Sequence, residues 1–169
     1  MTWDAYNRRR TAVREIATLA DQRRDLTLTE LLDHVDPRRA AFDDEHALLL
    51  DLQLAWFQRL SGECDRIQSD HPELVAVSAW ADSAAALPGI RAVLDRHLDE
   101  PVLAKALDKE HALLALASGV PYDATAMRHR ATHLIESARE RVAVTEQAVE
   151  LARASCRPSL LARLRSAVA

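Results

Sequence analysis

The chain has 169 residues, 49% of them hydrophobic but only seven aromatic, and it carries a formal charge of −4. A chain of that length buries roughly 70% of its unfolded surface as one domain, without staples or metals. Its three glycines, Gly62, Gly89 and Gly119, exclude the glycine-rich phosphate loops of dinucleotide and P-loop folds, and no G-x-S-x-G elbow of a serine hydrolase is present.

Alanine (31 residues) and leucine (25) supply a third of the chain. Both lose little on entering a helix, whereas sheets draw on β-branched and aromatic residues. The expected fold class is therefore all-α, with seven to eight helices around a long central one. Charge is uneven: residues 43–122 hold 14 acidic and 6 basic side chains, while both ends are mildly basic. Such a balance weakens a nucleic-acid role and confines any DNA contact to the N-terminal arginines. Cys64 and Cys156 are single and far apart, as reduced thiols in helix interfaces would be. No signal-peptide core follows WDAYNRRR and no apolar run reaches the length of a membrane span, so a cytoplasmic protein without a membrane span is expected.

The first helix is predicted from Trp3 or Asp4 to about Arg24, with Tyr6, Val13, Ile16, Ala17 and Ala20 inward. Arg8, Arg9 and Arg10 are consecutive and fan around it. Thr27-Leu28-Thr29-Glu30 reads as a capping box that starts a short helix, Leu28 to Val35, stopped at Asp36-Pro37. A bridge containing Arg38 and Arg39 leads to Phe42.

The central helix, Asp43 to Ile67, places Leu49, Leu52, Trp56, Leu60, Cys64 and Ile67 on one stripe. Pro72 starts a helix to about Ala86, and Leu87-Pro88-Gly89 reads as a turn before a helix from Ile90 to Leu98. Asp99-Glu100-Pro101 opens another, stopped after Ser118 by Gly119 and Pro121. Asp123 caps a long helix to about Ala154, with an inner face of Met127, Ala131, Leu134, Ala138, Val142, Thr145, Val149 and Ala152. A last amphipathic segment runs from Ser159 to Val168. Residues 1–42 form an N-terminal helical segment and 43–169 a bundle, together one compact unit, with a homodimer expected through residues 123–169.

Three groups of side chains are candidates for function. Arg8, Arg9, Arg10, Arg38 and Arg39 could meet DNA or an acidic partner, against the simpler reading of a solvated face. Trp56, Phe57, Trp80, Leu113 and Met127 are the residues expected beside any apolar ligand cavity, although tryptophans such as these and Trp3 are more often core. His129 and His133, four apart on one helix face, with Glu136 three further on, have the donors and spacing for Zn²⁺ or Fe²⁺; chance pairing of surface histidines is the simpler reading. A short echo, Glu45-His46-Ala47-Leu48-Leu49 and Glu110-His111-Ala112-Leu113-Leu114, suggests a bundle metal site less well, because adjacent residues point about 100° apart on a helix. No resident cofactor is expected, and no trio of base, nucleophile and orienting partner can be assembled.

The order AVREIATLADQ, LTLTELLDHV, then Phe42 with DDEHALLLDLQLAWFQRL resembles the N-terminal half of a TetR-type regulator. The stretch AWADSAAALPGIRAVLDRHLDEPVLAKAL is similar in style to the ligand-binding portion of that family, and the last two helices resemble its dimerising pair. Between Val35 and Phe42 the chain is about one helical turn shorter than the family's turn and recognition helix, so the helix-turn-helix is degenerate. The resemblance implies a non-enzymatic homodimer with a regulatory or ligand-sensing role, open to a small apolar ligand and with DNA binding weakened. The alternative is a metal-binding helical-bundle enzyme or sensor using the histidines and carboxylates.

Overall fold

The computed structural model of the chain describes residues 3–34, 42–67, 70–120 and 124–155. Among them are seven α-helices, α1 (Trp3–Gln22), α2 (Leu28–Asp33), α3 (Glu45–Arg66), α4 (Pro72–Ala86), α5 (Pro88–Arg96), α6 (Ala104–Ala117) and α7 (Ala124–Ser155), with a 3₁₀ turn at Pro101–Leu103 and no strand. The all-α fold of seven to eight helices expected from composition is what forms.

Each helix boundary has a local cause. Thr27 and Glu30 form the capping box: the Thr27 hydroxyl accepts from the Glu30 amide at 3.3 Å, and the Glu30 carboxylate accepts from the Thr27 amide at 2.8 Å. That bond from the Thr27 amide holds the Glu30 carboxyl below its usual range. Asp44 caps α3 by accepting from the Ala47 amide at 2.7 Å. At the end of α6, Gly119 takes a φ of 81°, and the amides of Gly119 and Val120 donate back to Leu116 and Ala115. That double bond around a left-handed glycine is a Schellman stop.

Two boundaries differ from expectation. Leu87-Pro88-Gly89 makes no open turn: Leu87 ends α4 and begins α5 directly, since Pro88 fits a first helical position. The helix after Pro101 begins as a 3₁₀ turn and becomes α-helical at Ala104.

The long central helix lies where the leucine spacing puts it. α3 buries Leu48, Leu49, Leu52, Trp56 and Leu60, and it touches α1, α2, α4, α5 and α6. α4 is alanine-rich, with Ala76, Ala79, Ala81 and Ala84 all buried, and packs against α3, α6 and α7. α7 uses only its first half. Met127, Ala131, Leu134 and Ala138 are buried and Val142 half-buried, but every side chain from Ala143 to Ala154 is exposed. Thr145, Val149 and Ala152 are therefore exposed among the described residues and do not join the core cluster. Trp3 and Tyr6 are likewise exposed, stacked on each other with ring centroids 6.0 Å apart. The segments 35–41 and 156–169, which contain the expected bridge and last amphipathic helix, lie outside the described residues.

α5 is fastened to α1. The Gly89 amide donates to Asp21 Oδ1 at 2.6 Å, and a Cβ on Gly89 would overlap the Ala20–Asp21 backbone. Arg96 donates to the carbonyls of Arg24 and Leu26 at 2.5 and 2.8 Å, just past the end of α1. Gly89→Ala is expected to cost about 1–3 kcal/mol as α1 and α5 are forced apart, measured as a lower urea midpoint with an unchanged slope. An unchanged midpoint would show that the close approach is not there.

Cys64 packs half-buried against the core, and burial, with Asp65 and Glu63 nearby, pushes its thiol up to about 11 from an ordinary 9.0. The folded state thus holds this proton more tightly than the unfolded chain, so stability from the protonated thiol is present below pH 9 and is lost as pH climbs toward 11. In a Cys156→Ser background, alkylation of Cys64 should keep rising with pH well beyond the point where free cysteine levels off; a plateau at the free-cysteine pH contradicts the assignment.

Candidate functional site

The polar groups of the interior gather around one side chain. Arg91 lies on α5 between Ile90, Val93 and Leu94, all buried, so its guanidinium is carried into the body of the protein and only 6% of the residue is exposed. The ring of Trp56 from α3 lies 4.8 Å from its Cζ and that of Trp80 from α4 lies 5.8 Å away, while the two indoles meet edge to face at 5.5 Å. Arg91 is a delocalised cation with weak hydration, the kind that aromatic faces can hold away from water. Asp95, one turn along α5, takes Arg91 Nη2 at 3.0 Å.

A second carboxylate, Glu110 on α6, is 2% exposed and accepts from Gln53 Nε2 of α3 at 2.9 Å. Its other oxygen stands 3.9 Å from Arg91 Nη1, within ion-pair range but beyond a hydrogen bond. Arg139 from α7 completes the set: it donates to Asp95 at 2.7 Å and lies 5.8 Å from the ring of Trp80. Five helices thus contribute to one cluster.

The cluster is incompletely satisfied. Gln53 Oε1, Trp56 Nε1, Trp80 Nε1, Ser83 Oγ, Arg91 Nε and His111 Nδ1 are buried without a hydrogen-bond partner among the described residues. Four belong to residues of the cluster, His111 follows Glu110, and Ser83 is one turn from Trp80. A buried group left unmatched costs roughly 1–3 kcal/mol, so this arrangement is not what packing for stability alone would select. Unmatched polar groups concentrated at a cavity are a mark of a binding site.

A cavity of about 280 Å³ lies beside the cluster, walled by Trp80, Arg91, Glu110 and His111. Leu98, Leu107 and Ile135 supply apolar surface, and Thr132, Glu136 and Arg139 of α7 stand on its exposed side. The volume falls just below the range of about 300–1,000 Å³ typical of ligand pockets, while the mixture of apolar wall and few polar groups is typical. A second groove, of about 400 Å³ between α1 and α3, is lined by Tyr6, Val13 and Leu54 with Arg9 and Asp51, a half-buried pair that is matched in itself.

The residues singled out from the sequence have different fates. Of Trp56, Phe57, Trp80, Leu113 and Met127, only Trp80 lines the cavity; Trp56 is fully buried behind it against Arg91, Phe57 and Leu113 are half-buried elsewhere, and Met127 packs into the base of α7. The wall is charged where an apolar one was expected. Arg8 and Arg10 are exposed, but Arg9 folds back: it pairs with Asp51, with Nη2 to Oδ1 at 3.0 Å, and lies 5.4 Å from the Phe42 ring. The Asp51 hydrogen bond raises the Arg9 guanidinium above its ordinary value. Arg38 and Arg39 lie outside the described residues.

His129 and His133 do meet, ring centroids 4.7 Å apart and edge to face, and His133 Nδ1 is 3.5 Å from Glu136. Both pairs are on the exposed face of α7, and among the described residues no three His, Cys, Asp or Glu side chains converge to hold a metal. Helical spacing aligned the side chains along the helix without bringing a further ligand from a neighbouring element. The Glu-His echo also divides: Glu45 is exposed and accepts from the Thr29 hydroxyl, whereas Glu110 is buried.

Gln53, Arg91, Asp95 and Arg139 were not singled out from the sequence. A usable signal existed for the first two. Gln53 interrupts the stripe Leu49, Leu52, Trp56, and Arg91 interrupts the run Ile90, Val93, Leu94; a polar residue on a buried stripe needs a buried partner.

Arg91→Ala should cost about 3–5 kcal/mol, since it strands Glu110 in the interior. Arg91→Met combined with Glu110→Leu should cost less than Arg91→Ala alone, because the pair is then removed together. Urea unfolding followed by tryptophan fluorescence reads both, and an equal or larger loss in the double variant contradicts a coupled pair. No protein-family model matches the chain, and comparison with curated proteins and with solved structures likewise gives no match.

Proposed function

We propose that the chain is a non-enzymatic, TetR-like regulatory protein that senses a small molecule in the cavity between α4, α5, α6 and α7 and works as a homodimer. The observation that carries this proposal is the buried, incompletely matched cluster around Arg91 and Glu110, of which Trp80, Arg91 and Glu110, with His111, wall a small cavity. A ligand supplying partners to the unmatched atoms of Trp80, Arg91 or His111 would convert a local cost into binding energy. No catalytic trio accompanies it, which favours sensing over turnover.

The homodimer is supported by α7. Val144, Val149 and Leu151 are exposed on a half-helix that the other described residues leave uncovered, and a second copy of the same helix is the simplest cover for such a face. Exposed Arg8 and Arg10 on α1 suit phosphate or an acidic partner, while the engagement of Arg9 reduces what that run can offer. Loss of any DNA binding between low and moderate salt would be the behaviour of phosphate contact alone.

The test pairs two measurements. Sedimentation equilibrium should give a dimer that Leu151→Glu converts to monomer without loss of helical circular dichroism. A thermal-melt screen of small molecules should find compounds that raise Tm, by an amount equivalent to about 2.7 kcal/mol at a concentration of 100 Kd, with the rise abolished by Leu107→Trp, which fills the cavity. A monomer at every concentration sinks the homodimer. The absence of any stabilising compound removes the sensing role.

A further inference from the structure

The charges around the cavity are unequal in sign and in how fully they are engaged. Three carboxylates, Asp95, Glu110 and Glu136, stand around two guanidiniums, Arg91 and Arg139. Both guanidiniums bond Asp95, at 3.0 and 2.7 Å, and each lies over an indole ring, with Arg91 Nε left unmatched among the described residues. Glu110 is almost fully buried; one oxygen accepts from Gln53, and the other stands 3.9 Å from Arg91 Nη1, in ion-pair range but too far for a hydrogen bond. A carboxylate offers about four lone-pair sites, so Glu110 has acceptor capacity that its neighbours leave unfilled. His111 Nδ1, beside it in sequence and on the same cavity, is buried without a partner and is an acceptor in the tautomer protonated at Nε2.

From this we infer that the cavity binds a small organic cation, a protonated primary or secondary amine on a compact apolar body. Its N–H groups donate to Glu110, with His111 Nδ1 as a second acceptor, and its body lies on Leu98, Leu107 and Ile135. An anion is disfavoured because the buried Glu110 carboxylate would stand beside it, although Arg91 Nε is an unmatched donor. The excess of acid over base in residues 43–122, 14 against 6, adds a field that draws cations toward this half of the molecule.

The assignment rests on the ligand-sensing proposal above, and the experiment separates the two. Isothermal titration at neutral pH compares benzylamine with two probes of similar shape, neutral benzyl alcohol and anionic benzoate. Benzylamine is expected to bind at least about tenfold tighter than either, as loss of a charged hydrogen bond implies. Glu110→Gln, which keeps shape and removes charge, is expected to abolish that preference, whereas Glu150→Gln on the exposed part of α7 leaves it intact. If Glu110→Gln fails to fold, Leu107→Trp takes its place and should remove benzylamine binding. Equal or tighter binding of the alcohol or benzoate overturns the cation assignment and leaves sensing in place. Failure of all three probes at millimolar concentration, with Leu107→Trp raising stability as the filling of an idle void does, overturns both.

Discussion

A permanently charged guanidinium inside a helical core is the constraint that the rest of this structure answers. An arginine side chain carries its charge throughout the physiological range, so the fold must surround a full charge. It does so with Trp56 and Trp80 on the guanidinium's faces, Asp95 at one nitrogen and Glu110 farther from another. Leucine and alanine contacts supply most of the burial, but such contacts are non-directional and tolerate sliding. The arginine set has directions. It fixes α3, α4, α5, α6 and α7 by reference to one group, and a buried ion pair of this kind contributes little net stability after desolvation. Its value is therefore sought in position and binding.

How much of this could be read from the sequence depends on which interaction is local. Capping at Thr27 and Glu30, the start at Pro72 and the stop at Gly119 are written within four residues, and all formed. The central stripe of α3 is also a local pattern, and it is buried as its spacing requires. The cluster is not local: Gln53 and Glu110 are 57 residues apart, and Arg139 reaches Asp95 across 44. Stripe interruptions flagged where a partner was needed without saying which residue would provide it. Histidines and large aromatics stand out in the sequence because those residue types are chemically versatile. The histidines proved to be exposed along α7, and Trp56 became a wall behind the cavity and not its lining.

Neighbouring residues of one type can take unlike parts. Arg8, Arg9 and Arg10 are indistinguishable by composition, yet only the middle one reaches α3, pairing with Asp51 and covering Phe42. The two Glu-His pentapeptides show the same thing at longer range, one carboxylate at the surface and one inside. In both cases the tertiary neighbour decides the role, since helical geometry offers each position a different direction while the sequence motif stays the same. The apolar content of α7 divides on the same principle: its first half has α4 and α6 to meet, and its second half is exposed among the described residues.

α5 is only nine residues long and is held at both ends by the N-terminal part of the chain, Gly89 on Asp21 and Arg96 on the carbonyls of Arg24 and Leu26. Between those two anchors sit Arg91 and Asp95. The helix is in effect a short crossbar bolted to α1, with the charged cluster mounted at its middle. Any rearrangement that tilts the crossbar to reposition Arg91 must strain or break a bolt, so the charge at the centre of the bundle and the orientation of the first helix are mechanically one adjustment.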